Sequence, residues 1–375
     1  MKNIVILIAV SLAFCAYANT EGFNFPDLAF IPDGVYEVFP EAYNTNSKFN
    51  TIQGAITQAL CDGFTPDAVP FKQATVLIYP NLNGPYMGDG PDNEINVPVS
   101  VRLVGKNGES SVFSDPRIKA TLVFDNSGRL PGASDPLTEL SWTHSNLNII
   151  QPSPDKSAIK FSNDLSAAFV ALSINNCYVT NSFTNATAPI VEISNFAFFL
   201  AFRTFMVGSS GLAPVFLAKD ASTVELFYCN VISHKVLVSE GIGAIIPGTL
   251  FVLYFSDIVV EPGFLGNVES EIKLFEFKSA GIDRIFFGST AIVSQPDVVN
   301  YTMGSVMYDA SALSPANGGC PRTSFFANSY DFTPIAGGTQ LVYDSPDCPV
   351  DSGNFVNSQG IISNNVGNLR PAVIF

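Results

Sequence analysis

Two histidines, His144 and His234, are all the imidazole this 375-residue chain possesses. That leaves little scope for zinc sites or for a Ser-His-Asp relay, and no Gly-x-Ser-x-Gly phrase accompanies either one. His234 lies in Ser233-His234-Lys235, which reads as a turn. Glycoside hydrolysis needs two carboxylates about 5 to 9.5 Å apart. Asp257 with Asp283, or Glu269, Glu271 and Glu276, are the candidates, but any acidic repetitive chain offers such pairs. The run Asp89-Gly90-Pro91-Asp92-Asn93-Glu94 has oxygen ligands for calcium, yet it does not follow the EF-hand pattern and reads as a solvated turn. Gly105-Lys106-Asn107 is no phosphate loop, because Asn107 replaces Ser/Thr and the leading glycine is absent. Arg203 and Arg284 stand alone among apolar neighbours, so each reads as a salt-bridged or solvent-facing residue rather than a base. From these residues no catalytic group, no metal site and no cofactor is assigned.

Composition narrows the field further. Apolar residues make up 47% and charged residues 14%, the opposite of a disordered chain. Eighteen basic against 33 acidic residues give a net charge of −15, which could not neutralise phosphates, so a nucleic-acid partner is excluded.

The N-terminus carries Lys2, an apolar stretch Ile4–Cys15 interrupted only by Ser11, and the small-x-small triplet Ala16-Tyr17-Ala18. This is the pattern of a secretory signal peptide over residues 1–18, cleaved after Ala18. The apolar stretch is too short for a membrane span, and later ones are interrupted by Arg203 and Pro247. The expected location is extracellular, at a cell surface or on a particle. Of six cysteines, Cys15 leaves with the signal, and Cys61, Cys177, Cys229, Cys320 and Cys348 remain. An odd number in an oxidising compartment leaves a thiol over. Sequons at Asn185 and Asn300 are expected to carry glycans.

Those residues must be positioned by short strands. Residues 19–45, punctuated by Pro26, Pro32 and Pro40, read as an extended arm. In Phe49–Leu60 the apolar positions 49, 52, 55, 56, 59 and 60 share one helical face. Asn50 is placed to cap this helix, and Gln53 to reach back as in a capping box. The period then changes to two, in Ala74–Pro80 and in Ile95–Gly105, and β-branched and aromatic residues dominate from there on.

A weak pattern recurs, centred on residues 145, 177, 205, 229, 257 and 288, every 24 to 32 residues. In a chain of strands and turns this spacing points to a solenoid with two or three strands per coil. The coils are expected over residues 46–295, with an irregular region at 296–375 packed on them. Cys177 and Cys229 share the repeat position two coils apart, about 9.6 Å at ordinary strand spacing, too far for a disulfide. They are expected as buried thiols. Cys320 and Cys348 are the expected disulfide, closing a loop of 27 intervening residues, and Cys61 the odd thiol; the competing pairing is Cys61 with a C-terminal cysteine, which would require the two ends of the solenoid to meet.

The run Phe49–Leu60, then Ala74–Pro80, Tyr86 and Val99–Gly105, resembles the start of pectin-lyase-like right-handed parallel β-helix proteins. In that superfamily a phrase like F-x-T-I-Q-x-A-I forms a helix capping the coil, and V-x-I-x-P-G-x-Y begins the first coil. Here Asn81 stands in place of the glycine. The resemblance implies an all-β fold: a right-handed parallel β-helix with a short N-terminal capping helix. It also directs attention to polysaccharide chemistry. Of the polygalacturonase-like motifs only Arg117-Ile118-Lys119 matches, and the pectin-methylesterase-like QDT motif and second aspartate are absent.

Both alternating faces of Phe196–Phe202 and of Phe251–Phe255 are apolar, so a coil must expose rings there unless something covers them. The expectation is a secreted non-catalytic β-helix, a structural or surface component of a wall, matrix or viral particle. Its partner class is a polysaccharide or glycan, and it is open to homo-oligomers or a larger assembly. The alternative is a diverged polysaccharide-active enzyme: pectin lyase, pectinesterase or glycoside hydrolase-like.

Overall fold

Alternating apolar residues bury one row of side chains per strand, and here three such rows per turn of chain enclose a single core. The computed structural model describes residues 34–40, 48–66, 68, 72–106, 116–125, 141–162, 171–195, 197–209, 213–220, 222–240, 250–260 and 273–278, and, beyond residue 283, the strands alone. The strands form one 13-stranded sheet and two nine-stranded sheets. In each, the next neighbour along the sheet is the third strand on in sequence through the central coils, and every pairing between strands is parallel. The chain therefore visits the first, second and third sheets in turn and climbs one strand spacing per circuit. This is a right-handed parallel β-helix, the hand that parallel crossovers take.

One central coil shows the arrangement. Phe198–Phe202 lies in the first sheet, Phe205–Gly208 in the second and Phe216–Lys219 in the third. Phe199 and Ala201 face inward, while Phe198, Leu200 and Phe202 face out and stay half-buried. Equal positions stack along the axis: Ile174, Ala201, Leu226 and Leu253 form one inner row of the first sheet. Val179, Met206, Val231 and Ile258 form that of the second. Aromatic rings knit opposite walls together. Phe199, Phe216, Phe251 and Phe275 alternate between first and third sheets, with successive centroids 5.7, 6.2 and 5.6 Å apart.

The N-terminal end is closed by a helix, Ile52–Cys61, which buries Ile52, Ala55, Ile56 and Ala59. It packs against strands Gly34–Val38, Ala74–Ile78 and Glu94–Pro98. Its cap differs from the expected one. Thr51 Oγ1, not Asn50, accepts the Gly54 N–H at 3.0 Å. Gln53 does not reach back; its Oε1 accepts the Asn96 N–H at 2.9 Å and ties the helix to the first coil.

Three further expectations are corrected. The stretch read as an arm contains Gly34–Val38, which pairs in parallel with Ala74–Ile78, because Tyr36 and Val38 supply the same inward alternation as later strands. The alternating run 95–105 is two strands in different sheets, Glu94–Pro98 and Val101–Gly105, parted by a corner at Val99-Ser100 that keeps both residues buried. The coils do not stop at 295. Val306–Asp309, Arg322–Phe326, Leu341–Asp344 and Val350–Ser352 continue the ladders, where the short repeat pattern loses its apolar anchors.

Candidate functional site

The corner between the first and second sheets is made the same way in five successive coils. A single residue takes left-handed backbone: Asn146 (φ 57°), Asn176 (49°), Arg203 (47°), Tyr228 (53°) and Phe255 (49°). That conformation suits Asn, whose short side chain can bond locally, and costs bulkier residues roughly 1–2 kcal/mol. The residue after it turns inward: Leu147, Cys177, Thr204, Cys229 and Ser256 are all buried. Four of these supply a donor that mends the corner. Cys177 Sγ bonds the Asn175 carbonyl at 3.3 Å, Thr204 Oγ1 that of Phe202 at 3.1 Å, Cys229 Sγ that of Phe227 at 3.3 Å and Ser256 Oγ that of Tyr254 at 3.0 Å. Cys177 and Cys229 are thus free buried thiols with Thr204 in the coil between them. Burial pushes the Cys229 thiol up to about 12. Of the expected repeat centres 177 and 229 fall on this position, 205 and 257 fall one residue late, since Thr204 and Ser256 occupy it, and 145 falls two early, since Leu147 does.

Outside this corner the left-handed residues themselves form a ridge. Tyr228 and Phe255 stack at 5.2 Å with planes 10° apart. Phe202 meets Tyr228 edge-on at 5.5 Å, Tyr254 meets Phe255 edge-on at 4.4 Å, and Phe227 lies 6.1 Å from Tyr254. The exposed Arg203 guanidinium stands 5.2 Å from the Phe202 ring centre. Tyr228 remains 41% exposed. On the adjoining second sheet Tyr178 and Phe205 also stack, 5.3 Å apart, and Asp257 is exposed. Sequence reading anticipated outward rings in these strands but missed the ridge, because its spacing is marked by Asn only at 146 and 176.

The third sheet presents a different surface. Lys219 Nζ lies 2.9 Å from Glu192, Lys160 3.6 Å from Glu94, and Lys278 3.7 Å from Glu240. Lys235 lies 2.8 Å from Glu276. Lys219–Glu192, Lys235–Glu276 and Lys278–Glu240 answer each other between adjacent coils, the sheet form of a favourable cross-strand pair, while Lys160 reaches past one coil to Glu94.

The chemical candidates are dispersed over these surfaces. His144 is fully buried in the aliphatic row that Ile174 continues. Its Nδ1 accepts the Leu103 N–H at 2.9 Å, and its ring lies 4.9 Å from that of Phe124. Burial, then the nearby Arg102 charge, pushes it down to about 3, so it is neutral at any ordinary pH. His234 is buried at a bend. Asp257 belongs to the second sheet and Glu276 to the third, and the carboxylates each was expected to pair with lie outside the described residues. Asp283, Glu269, Glu271, Asn300, Cys320, Cys348 and the signal segment lie outside the described residues. Arg284 sits in a strand of the first sheet.

In the acidic turn Asn93 Oδ1 accepts the Gly88 N–H at 2.6 Å, and Asp92 pairs with Lys156 at 3.2 Å. Among the described residues no three His, Cys, Asp or Glu side chains are grouped to hold a metal. Arg117-Ile118-Lys119 opens the second sheet with Ile118 in the core and Arg117 exposed. Asn185 lies on an exposed turn and Cys61 is exposed at the end of the helix. No helix among the described residues is long and apolar enough to cross a membrane.

No family model matches the chain, and no curated relative does. Among solved structures it is similar to a pectin methylesterase mutant in complex with a hexasaccharide, at 12% identity and a TM-score of 0.41 over 91% of this chain and 93% of that one. It is similar also to the pectin methylesterase of Aspergillus niger, at 11% identity and a TM-score of 0.35 over 92% and 91%. A third is Escherichia coli YbhC, at 12% identity and a TM-score of 0.40 over 94% and 86%. At such identity these likenesses say nothing of activity. The pairing of the strands themselves makes the chain a right-handed parallel β-helix, closed at its N-terminal end by a helix.

Proposed function

We propose that this protein is a secreted, non-catalytic β-helix that serves as a structural or surface component. One observation carries the reading: on the third sheet Glu192, Glu240 and Glu276 are engaged with lysines of adjacent coils, and Glu94 with Lys160 two coils on. A general acid and base need carboxylates whose environments drive their proton affinities apart. Here Glu94, Glu192, Glu240 and Glu276 each face a lysine, an arrangement that joins coils rather than polarises a bond. The polysaccharide partner expected from the sequence is retained as a ligand, not a substrate.

A panel of neutral and uronic-acid polysaccharides tests this by release of reducing ends, unsaturated products or methanol, beside retention of the protein on the same immobilised polymers. No product is expected. Turnover that a single Asp or Glu substitution abolishes, without loss of folding, establishes the enzyme reading instead.

A further inference from the structure

The ridge of Arg203, Tyr228 and Phe255 occupies the same corner in three consecutive coils. The two coils before them fill that corner with Asn146 and Asn176, so the fold does not require rings there. Bulky residues in left-handed backbone, with their side chains outward, place apolar surface where it gains nothing from the chain's own core.

The two ends of the ridge are oppositely charged. Arg203, at one end, has no carboxylate within salt-bridge distance among the described residues, and its guanidinium stands by the Phe202 ring. Asp257, at the other end, is exposed and has no cationic partner among them. The two lie two coils apart, about 9.6 Å along the axis, with Tyr228 on the coil between.

We propose that this ridge is the seam of a symmetric dimer, in which a second copy of the chain docks antiparallel about a two-fold axis at the level of Tyr228. An axis running across the solenoid exchanges the coil of Arg203 with the coil of Asp257. Each Arg203 then meets the Phe255 ring of the other copy and comes within reach of its Asp257, which opens the second-sheet strand just past that corner. Tyr228 packs on its own symmetry mate at the centre. A guanidinium over a ring, an ion pair at each rim and a tyrosine at the middle are what a self-complementary interface requires.

Charge selects this occupant. Copies carrying −15 repel each other, so they can meet only where a face offers few like charges and some opposite ones. The ridge is such a face. A glycan would need neither an arginine and an aspartate placed symmetrically about the middle ring nor an antiparallel register.

Sedimentation velocity on the mature chain tests the seam. The wild type is expected to be a dimer at micromolar concentration. Tyr228→Asn installs the residue that two other coils already use, so it should fold normally and sediment as a monomer. Arg203→Asp and Asp257→Arg should each weaken dimerisation at least tenfold, and the two together in one chain should restore it. A wild type that stays monomeric overturns the proposal; so does a dimer indifferent to Tyr228→Asn, or a double variant that remains dissociated. A monomer that loses polysaccharide retention on Tyr228→Asn assigns the ridge to a glycan, and one that merely melts earlier assigns it to cover by the chain itself. Either result also overturns the dimer.

Discussion

His144 sits where its neighbours in the ladder are aliphatic, and it replaces a backbone pairing with a side-chain one. Strands Val101–Gly105 and Ser141–Ser145 share only the pair Val104 and Ser145, and the Leu103 N–H that would continue the ladder goes to His144 Nδ1 instead. Nδ1 can accept only while the ring is neutral, and among the described residues the buried Nε2 has no hydrogen-bond partner. Acid should therefore attack this junction. The folded ring titrates at about 3 and the unfolded one near 6.5, so between these values the unfolded chain binds the extra proton. The contribution is complete above pH 6.5 and is lost as the pH falls towards 3, by about 1.4 kcal/mol per pH unit at its steepest. In His144→Leu that slope should vanish, while stability at pH 7 drops by about 1–3 kcal/mol for the orphaned Leu103 N–H. Urea midpoints of both proteins from pH 7 to 4 decide it; parallel curves would refute the role of the ring. Gly105 adds a second residue-scale test. A Cβ there would lie 1.8 Å from the Asn146 carbonyl oxygen, a backbone atom that cannot swing aside. Gly105→Ala should destabilise by about 3 kcal/mol, measured by the same melts.

At the scale of elements, the capping helix was legible because its signal is local. Six apolar positions at helical spacing place it within two residues, and the buried face is the expected one. Ile56→Asp puts an unpaired charge over the first coil and should destabilise by about 3 kcal/mol in a denaturant titration. The cap was not legible, since Asn50 and Thr51 are adjacent and equally suited; only the backbone geometry selects Thr51. Thr51→Ala should lower stability by about 1 kcal/mol and Asn50→Ala by much less, and equal losses would show that the cap is shared. The corners were partly legible for a similar reason. Asn146 and Asn176 announce left-handed backbone by residue type, whereas Arg203, Tyr228 and Phe255 hide it behind side chains that ordinarily avoid it. The polar side chains of the third sheet pair across coils, from Lys219 to Glu192 and from Lys235 to Glu276, at separations no sequence window spans.

At the scale of the whole molecule, coil register decides the fate of the cysteines. Cys177 and Cys229 flank Thr204 in one buried row, which places them on coils that are not adjacent. Cys61 is exposed. Cys320 and Cys348 lie outside the described residues. The disulfide expected between them from the sequence would close a loop of 27 intervening residues and should contribute about 3 kcal/mol by loop entropy. Thiol counting on the mature chain without reductant gives a sharp expectation. Cys61 alone should react in the native protein, because Cys177 and Cys229 are buried and burial pushes the Cys229 thiol up to about 12. Cys177 and Cys229 should join it on unfolding, and Cys320 and Cys348 only after reduction. A Cys177–Cys229 disulfide in a non-reducing peptide map would refute the register, and with it the placement of Tyr228 midway between Arg203 and Asp257.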